Sequence, residues 1–388
     1  MSRRTVLRGI AWNHSRALPP LVATAQRFEE LHAEVEIRWE KRSLHDFGHA
    51  GLVSLAGHYD LLVIDHPAMG EAYDSHALID LSESFEGSFL VELAADSCGR
   101  SYESYLYRGK LFALPIDAAA PSARYRPDLL QRADAEIPHT WNDVVNLARN
   151  GLVVMPGFHA DVFLNYIGMC VSFGACVAED REVLVDAGTG EKCLELLREL
   201  ASYMPAEIYE WNPITLYENM AASDGYAFCP FAFTYSNYSR AGFAKNLILF
   251  SNPVPLGQGR PFRSVLGGTG IAISAGCKSP GFAIEYARHL TGENWQRTLY
   301  GLSGGQPARR SSWKDETLNR VSNGFFERTL DVIETAYLRP RYPGYVQFQA
   351  EAGLPIVRYL QGDGSALEAL EKMNSLYRQS RKAVYRKQ

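Results

Sequence analysis

The chain has 388 residues, with 39 basic and 44 acidic side chains, a net charge of −5 and no long run of either sign, which argues against a clustered nucleic-acid face. Hydrophobic residues make up 46% and charged residues 21%, enough apolar material for a large core; a chain this long exceeds what one core spans, so two lobes are expected without any metal, cofactor or disulfide staple. The longest weakly polar run, residues 166–178, is too short to cross a bilayer and holds Gly168 and Gly174, so no membrane insertion is expected.

Residues 1–8 are short and basic. Arg3-Arg4 has the form of a twin-arginine start, yet no apolar stretch follows it. As written the chain is expected in the cytoplasm, or in the periplasm if an export signal has been removed. Residues 5–12 read as the first strand. Pro19 and Pro20 open a helix, where a missing N–H costs nothing, and Leu21, Ala25, Phe28 and Leu31 recur on one face. Val35, Ile37 and Trp39 alternate with charged residues, as in a half-buried strand. The run Leu61-Leu62-Val63-Ile64 reads as a strand covered on both faces. This order predicts a βαβ unit and a largely parallel sheet.

Residues 111–116 read as a further strand and 117–123 as a crossing segment. Thr140 with Asp143 has the spacing of a capping box, with Asp in place of the usual Glu. Helices are expected over 194–203 and 216–222, and a strand over 226–233. Gly267-Gly268-Thr269-Gly270 turns into the strand Ile271-Ala272-Ile273. Phe282, Tyr286, Ala287 and Leu290 then share a helical face that ends at Gly292. Leu367, Leu370, Met373, Leu376 and Tyr377 mark a last long helix. The six cysteines, 98, 170, 176, 193, 229 and 277, are scattered, form no C-x-x-C and read as free thiols.

Several of these segments fall in the order of one family. They are Phe28-Glu29-Glu30-Leu31-His32 after the first strand, residues 61–65, and Tyr107-Arg108-Gly109-Lys110-Leu111-Phe112-Ala113-Leu114-Pro115. Tyr125-Arg126-Pro127-Asp128-Leu129-Leu130, Pro138-His139-Thr140-Trp141 and residues 267–290 follow. Over almost its whole length the chain resembles the family-1 extracellular solute-binding proteins, the maltose-binding-protein-like receptors of ABC transporters. The resemblance implies a two-lobed α/β, periplasmic-binding-protein-like fold of type II. Each lobe would be a mostly parallel sheet flanked by helices, one of residues 1–117 with 266–313 and the other of 118–265 with 314–388. It implies a monomer that closes by a hinge over a carbohydrate-like or sugar-acid-like ligand and serves an ABC permease without catalysing a reaction.

In that fold the turns after the first and third strands face the cleft. Trp12, Asn13 and His14 and, after Ile64, Asp65 and His66 are therefore candidate ligand contacts. A rival reading makes His14, Asp65 and His66 an acid–base group of a cytoplasmic enzyme acting on a small organic acid or sugar. A metal site at these three lacks the i,i+4 spacing a helix would give, and none is expected. Tyr235 and Tyr345 are candidates for stacking on a sugar face. Arg42 and Arg309 could meet an anionic ligand, Asp117 sits where the chain crosses, and Gly268 would let the backbone come close. Gly301-Leu302-Ser303-Gly304-Gly305 matches G-x-S-x-G, but a helix rather than a strand is expected before it, so it is no nucleophile elbow.

Overall fold

The computed structural model describes residues 4–43, 51–257 and 260–383. Its strands are β1 (Thr5–Trp12), β2 (Val35–Arg42), β3 (Leu61–Ile64), β4 (Leu106–Tyr107), β5 (Lys110–Leu111), β6 (Leu114–Ala119), β7 (Pro121–Tyr125), β8 (Phe228–Phe233), β9 (Leu249–Ser251) and β10 (Gly267–Ile273). The first sheet has the order β2-β1-β3-β10-β6. In it β1 runs parallel to β2 and β3, while β10 is antiparallel to both β3 and β6.

The crossover between β1 and β2 is the helix α1 (Leu18–Leu31), which carries prolines in its first turn as expected. It lays Leu21, Ala25 and Phe28 on the sheet, while Leu31, expected on the same stripe, is exposed in the last turn. Trp39 of β2 lies beside Gly9 of β1, and a Cβ on Gly9 would come to 2.5 Å from the indole. Only a residue without a side chain fits under that ring.

The second sheet has the order β8-β7-β9, and both pairings are antiparallel. A mostly parallel sheet in each lobe is thus corrected for this half: β7 is buried at all five positions, and a fully buried antiparallel strand has the same apolar run as a parallel one. Helix His159–Ser172 packs on β8, helices Ala187–Ala201 and Tyr345–Leu360 pack on that helix and on each other, and Ala366–Ala383 packs on those two. The capping box at Thr140 and Asp143 forms as expected and opens the helix Trp141–Arg149. A π-helical turn, Gln296–Tyr300, precedes Gly301, so the G-x-S-x-G match does sit after a helix.

Buried apolar residues sort into two clusters. One holds Leu7, Leu62, Leu114, Ile271 and Tyr286. The other holds Tyr125, Phe163, Phe228, Trp313 and Phe348. Only Ala120 separates β6 of the first sheet from β7 of the second, so the handover between the halves is one residue long. A second crossing leads through Leu266, in the second cluster, into β10 of the first sheet. The two lobes are therefore joined by short extended segments. No helix among the described residues is long and apolar enough to cross a membrane.

Candidate ligand-binding cleft

A cavity of about 280 Å³ lies between the two cores. The first sheet contributes Trp12 from the end of β1, Asp65 just after β3, and Gly267, Gly268 and Thr269 from the start of β10. The carboxyl ends of parallel strands β1 and β3 thus point into it, as open α/β sheets arrange their ligand sites. The second half contributes Phe158 and Asp161 around the start of the helix His159–Ser172, Glu210, Phe233 and Tyr235 at the end of β8, and Arg339 with Gln349. Gly268 has φ +103°, and a Cβ there would collide with the Asp117 carbonyl, so glycine is required where the backbone borders the cavity.

Two arginines reach the cavity, and each is neutralised by an aspartate. Arg16 donates from Nε to Asp117 Oδ2 at 2.9 Å, from Nη2 to Asp117 Oδ1, and from Nη1 to the Thr234 carbonyl at 2.6 Å. Burial lowers its pKa, but Asp117 outweighs that and raises it above the ordinary arginine range. Its guanidinium lies 5.0 Å from the Tyr235 ring centre. Arg339 donates from Nη2 to both oxygens of Asp65 at 2.8 Å, from Nη1 to Gln349 at 2.9 Å and from Nε to the Leu266 carbonyl at 3.0 Å. This pair links the first lobe to the second. Burial would raise the Asp65 pKa, yet Arg339 and then His66 hold it well below the usual carboxylate range.

The remaining acids are different. Asp161 has no ion-pair partner among the described residues, and burial pushes its carboxyl up to about 7. Glu210 also lines the cavity, is exposed and is likewise unpaired among the described residues. Thr269 Oγ1 is buried without a hydrogen-bond partner among the described residues. The cavity therefore offers unpaired acceptors and aromatic faces and, among the described residues, no unpaired cation.

Of the residues singled out in the sequence, Trp12, Asp65, Tyr235 and Gly268 line this cavity. Asn13 and His14 line a separate recess of about 330 Å³. Arg42 borders a third, of about 80 Å³, which shares Asp65. The other four do not line the main cavity. His66 is buried with its ring 6.4 Å from that of Tyr105. Asp117 lies behind the wall and acts through Arg16. Arg309 is buried in pairs with Glu92 at 2.6 Å and Asp96 at 3.6 Å, so its charge is not available to a ligand in the cleft. Tyr345 packs in the second core against Tyr342 and Phe348.

The grouping of His14 with Asp65 and His66 does not form. His14 Nδ1 accepts the Arg16 N–H at 2.9 Å, and its ring meets Tyr235 edge-on at 4.5 Å, in a different recess from Asp65. Burial, then Arg16, pulls the His14 pKa down to about 3; burial, then Arg339, pulls that of His66 to about 4. Both imidazoles are neutral near pH 7 and poorly matched to proton transfer there.

Sequence reasoning missed Arg16, Phe158, Asp161, Glu210 and Arg339. Asp161 did leave a signal: it is the one carboxylate in the largely apolar helix His159–Ser172. Arg16 and Arg339 left none, because their partners lie 101 and 274 residues away.

A family model described as bacterial extracellular solute-binding protein matches residues 23–321. Among solved structures, an ABC transporter solute-binding protein from Agrobacterium radiobacter K84 in complex with ribitol superimposes with a TM-score of 0.82 at 19% identity, over 97% of this chain and 99% of that one. Maltose-bound MalE3 of T. maritima gives 0.83 at 18% identity, over 96% and 99%. A solute-binding protein from Thermotoga lettingae TMO bound with alpha-D-tagatose gives 0.82 at 18%, over 97% and 100%. These likenesses show a shared fold, and the family match spans most of the sequence, from α1 to beyond Trp313. The chain belongs to the bacterial extracellular solute-binding proteins.

Proposed function

We propose that the chain captures a neutral polyhydroxylated molecule, a sugar or sugar alcohol, in the cleft between its lobes and hands it to an ABC permease outside the cytoplasmic membrane. The lobes in this reading are 1–117 with 266–313 and 118–265 with 314–388, and the receptor works as a monomer. The observation that carries it is the lining. Carboxylates at Asp161 and Glu210 can accept bonds from hydroxyls, while Trp12, Phe233 and Tyr235 offer faces for sugar C–H groups. The ligands of the fold relatives, ribitol, maltose and tagatose, are of this class. A sugar acid fits less well, because Arg16 and Arg339 are already neutralised, and Glu210, joined by Asp161 once that is ionised, would repel it. An enzyme built on His14, Asp65 and His66 has no support, since His14 lies apart from the Asp65–His66 contact and neither imidazole titrates near neutrality.

Titration calorimetry against ribitol, D-mannitol, tagatose and maltose tests this reading. A binder is expected at one site per chain, and it raises the melting temperature with concentration. The Asp161→Asn change is expected to weaken it about 10–100-fold, the worth of a hydrogen bond to a charged group. A hit that binds Asp161→Asn and Tyr235→Ala proteins as tightly as the parent would remove the cleft as its site. Preference for sugar acids over neutral sugars would overturn the ligand class.

A further inference from the structure

Away from the cleft, two outer helices of the first lobe bring three donors together. The helix Pro280–Thr291 carries Glu285 and His289 four residues apart, hence on one face. Helix α1 packs against it, and His32 caps the carboxyl end of α1. One donor atom from each of His32, Glu285 and His289 lies within 4.8 Å of the other two, and among the described residues no other group of His, Cys, Asp and Glu does this. His32 Nε2 is 3.6 Å from Glu285 Oε1.

The imidazoles are held by packing. The His32 ring stacks on Phe28 at 4.3 Å, the Phe28 edge meets His289 at 5.8 Å, and Trp295 lies 4.9 Å from His289. Competing charges are engaged elsewhere: Arg288 pairs with Glu86 at 2.6 Å, and Glu293 lies 4.0 Å from Arg297. Glu285 and His289 also line an open groove of about 820 Å³ on the lobe surface, so water reaches their donor atoms.

We propose that His32, Glu285 and His289 bind one divalent transition-metal ion, of which Zn²⁺ is the natural probe. Two imidazoles and a carboxylate are the borderline N/O donors such an ion prefers. Tetrahedral bonds of about 2.0–2.2 Å place donors about 3.3–3.6 Å apart, so His32 and Glu285 already stand at that spacing. The remaining pairs lie within 4.8 Å and close up to that spacing when the ion binds. The fourth position opens on the groove and holds water. The ion ties the end of α1 to the helix Pro280–Thr291, and none of its three ligands lines the cleft.

The test uses the untagged full chain, dialysed against micromolar Zn²⁺ and analysed for metal, with calorimetry for affinity. One equivalent is expected. His32→Ala and His289→Ala should each weaken it by at least the roughly 10–100-fold that loss of a supporting group costs. Glu285→Gln, at an exposed position where folding is not at stake, should weaken it by about tenfold on the same scale. His139→Ala, at an exposed histidine elsewhere, should leave it unchanged. Co²⁺ should give the visible absorption of a four-coordinate site in the parent and lose it in His289→Ala. A parent that retains no Zn²⁺, or a Glu285→Gln and His32→Ala pair that binds as the parent does, overturns the proposal. Either result leaves the cleft reading untouched.

Discussion

Asp65 and Asp161 line the same cavity from opposite lobes, and their carboxyls are driven in opposite directions. Asp65 receives two hydrogen bonds from Arg339 and one from the His66 amide, so its charge is stabilised in the fold. Asp161 meets no cation among the described residues, and burial against the cavity wall favours its neutral form. The same functional group is a structural tie in one lobe and an unsatisfied acceptor in the other. Burial alone does not decide which; the presence of a partner does. A ligand that brings hydroxyl donors does for Asp161 what Arg339 does for Asp65.

The largest effect should come from breaking the Asp65 tie. Arg339→Met leaves the Asp65 carboxylate uncompensated and removes the bonds to Gln349 and Leu266. Loss of one partner from a buried pair costs about 3–5 kcal/mol; the low end is expected here, because the Asp65 side chain remains 32% exposed. Denaturant unfolding measures this. Adding Asp65→Asn to Arg339→Met should recover part of the loss, and no recovery would mean that the arginine acts through its other two bonds.

The second effect is in pH, and the two aspartates have opposite signs. For Asp65 the folded pKa is depressed below its ordinary 3.8, so its stabilisation is complete above that value and is lost as pH falls below it. For Asp161 the folded pKa is raised from 3.8 to about 7, so the folded state holds a proton that the unfolded state has released. Stability therefore declines as pH rises through that window. Asp161→Asn should flatten the decline and be more stable than the parent at pH 8. Affinity for a hydroxyl-rich ligand should instead rise in the parent as pH passes about 7, since the carboxylate is the better acceptor, and stay level in Asp161→Asn. A parent affinity that falls with pH would reverse the assigned role.

These contrasts mark how far the sequence could be read. The elements with local signals were legible: the prolines opening α1, the apolar run of β3 and the capping box at Thr140 all fold as their residues predict, whereas residues 267–270, expected as a turn, are already strand residues of β10 paired with β6. The strand ends gave Trp12 and Asp65 because their position on β1 and β3 is itself a local fact. The antiparallel order of β8, β7 and β9 was not legible, since strand direction depends on partners more than a hundred residues distant, such as Tyr125 and Phe228. The arginines failed in the same way. Arg309, Arg16 and Arg339 look alike in sequence, and only the distant carboxylates Glu92, Asp117 and Asp65 separate a lobe tie from a cavity wall.

A third effect separates aromatic surface from polar handle. Tyr235→Phe keeps the ring beside Arg16 and should change ligand affinity only a few-fold, whereas Tyr235→Ala removes the stacking face and should cost about tenfold, near the upper worth of one aromatic contact. Equal losses in the two variants would assign the binding to the hydroxyl rather than the ring.

The smallest effect is the most specific. Thr269 Oγ1 is buried at the β10 bulge beside Gly268, lines the cavity and has no hydrogen-bond partner among the described residues. A buried hydroxyl left unpaired costs about 1–3 kcal/mol of desolvation, and an apolar group of the same shape relieves that cost. Thr269→Val should therefore leave the ligand-free protein as stable as the parent or slightly more so. The same change should weaken a polyol by about threefold to tenfold, the net worth of one neutral hydrogen bond. Gain in stability with loss in affinity is the signature of a hydroxyl kept to accept a bond from the ligand. If instead Thr269→Val lowers the melting temperature and leaves affinity alone, the hydroxyl belongs to the fold of β10, and the unpaired acceptors of the cleft reduce to Asp161 and Glu210.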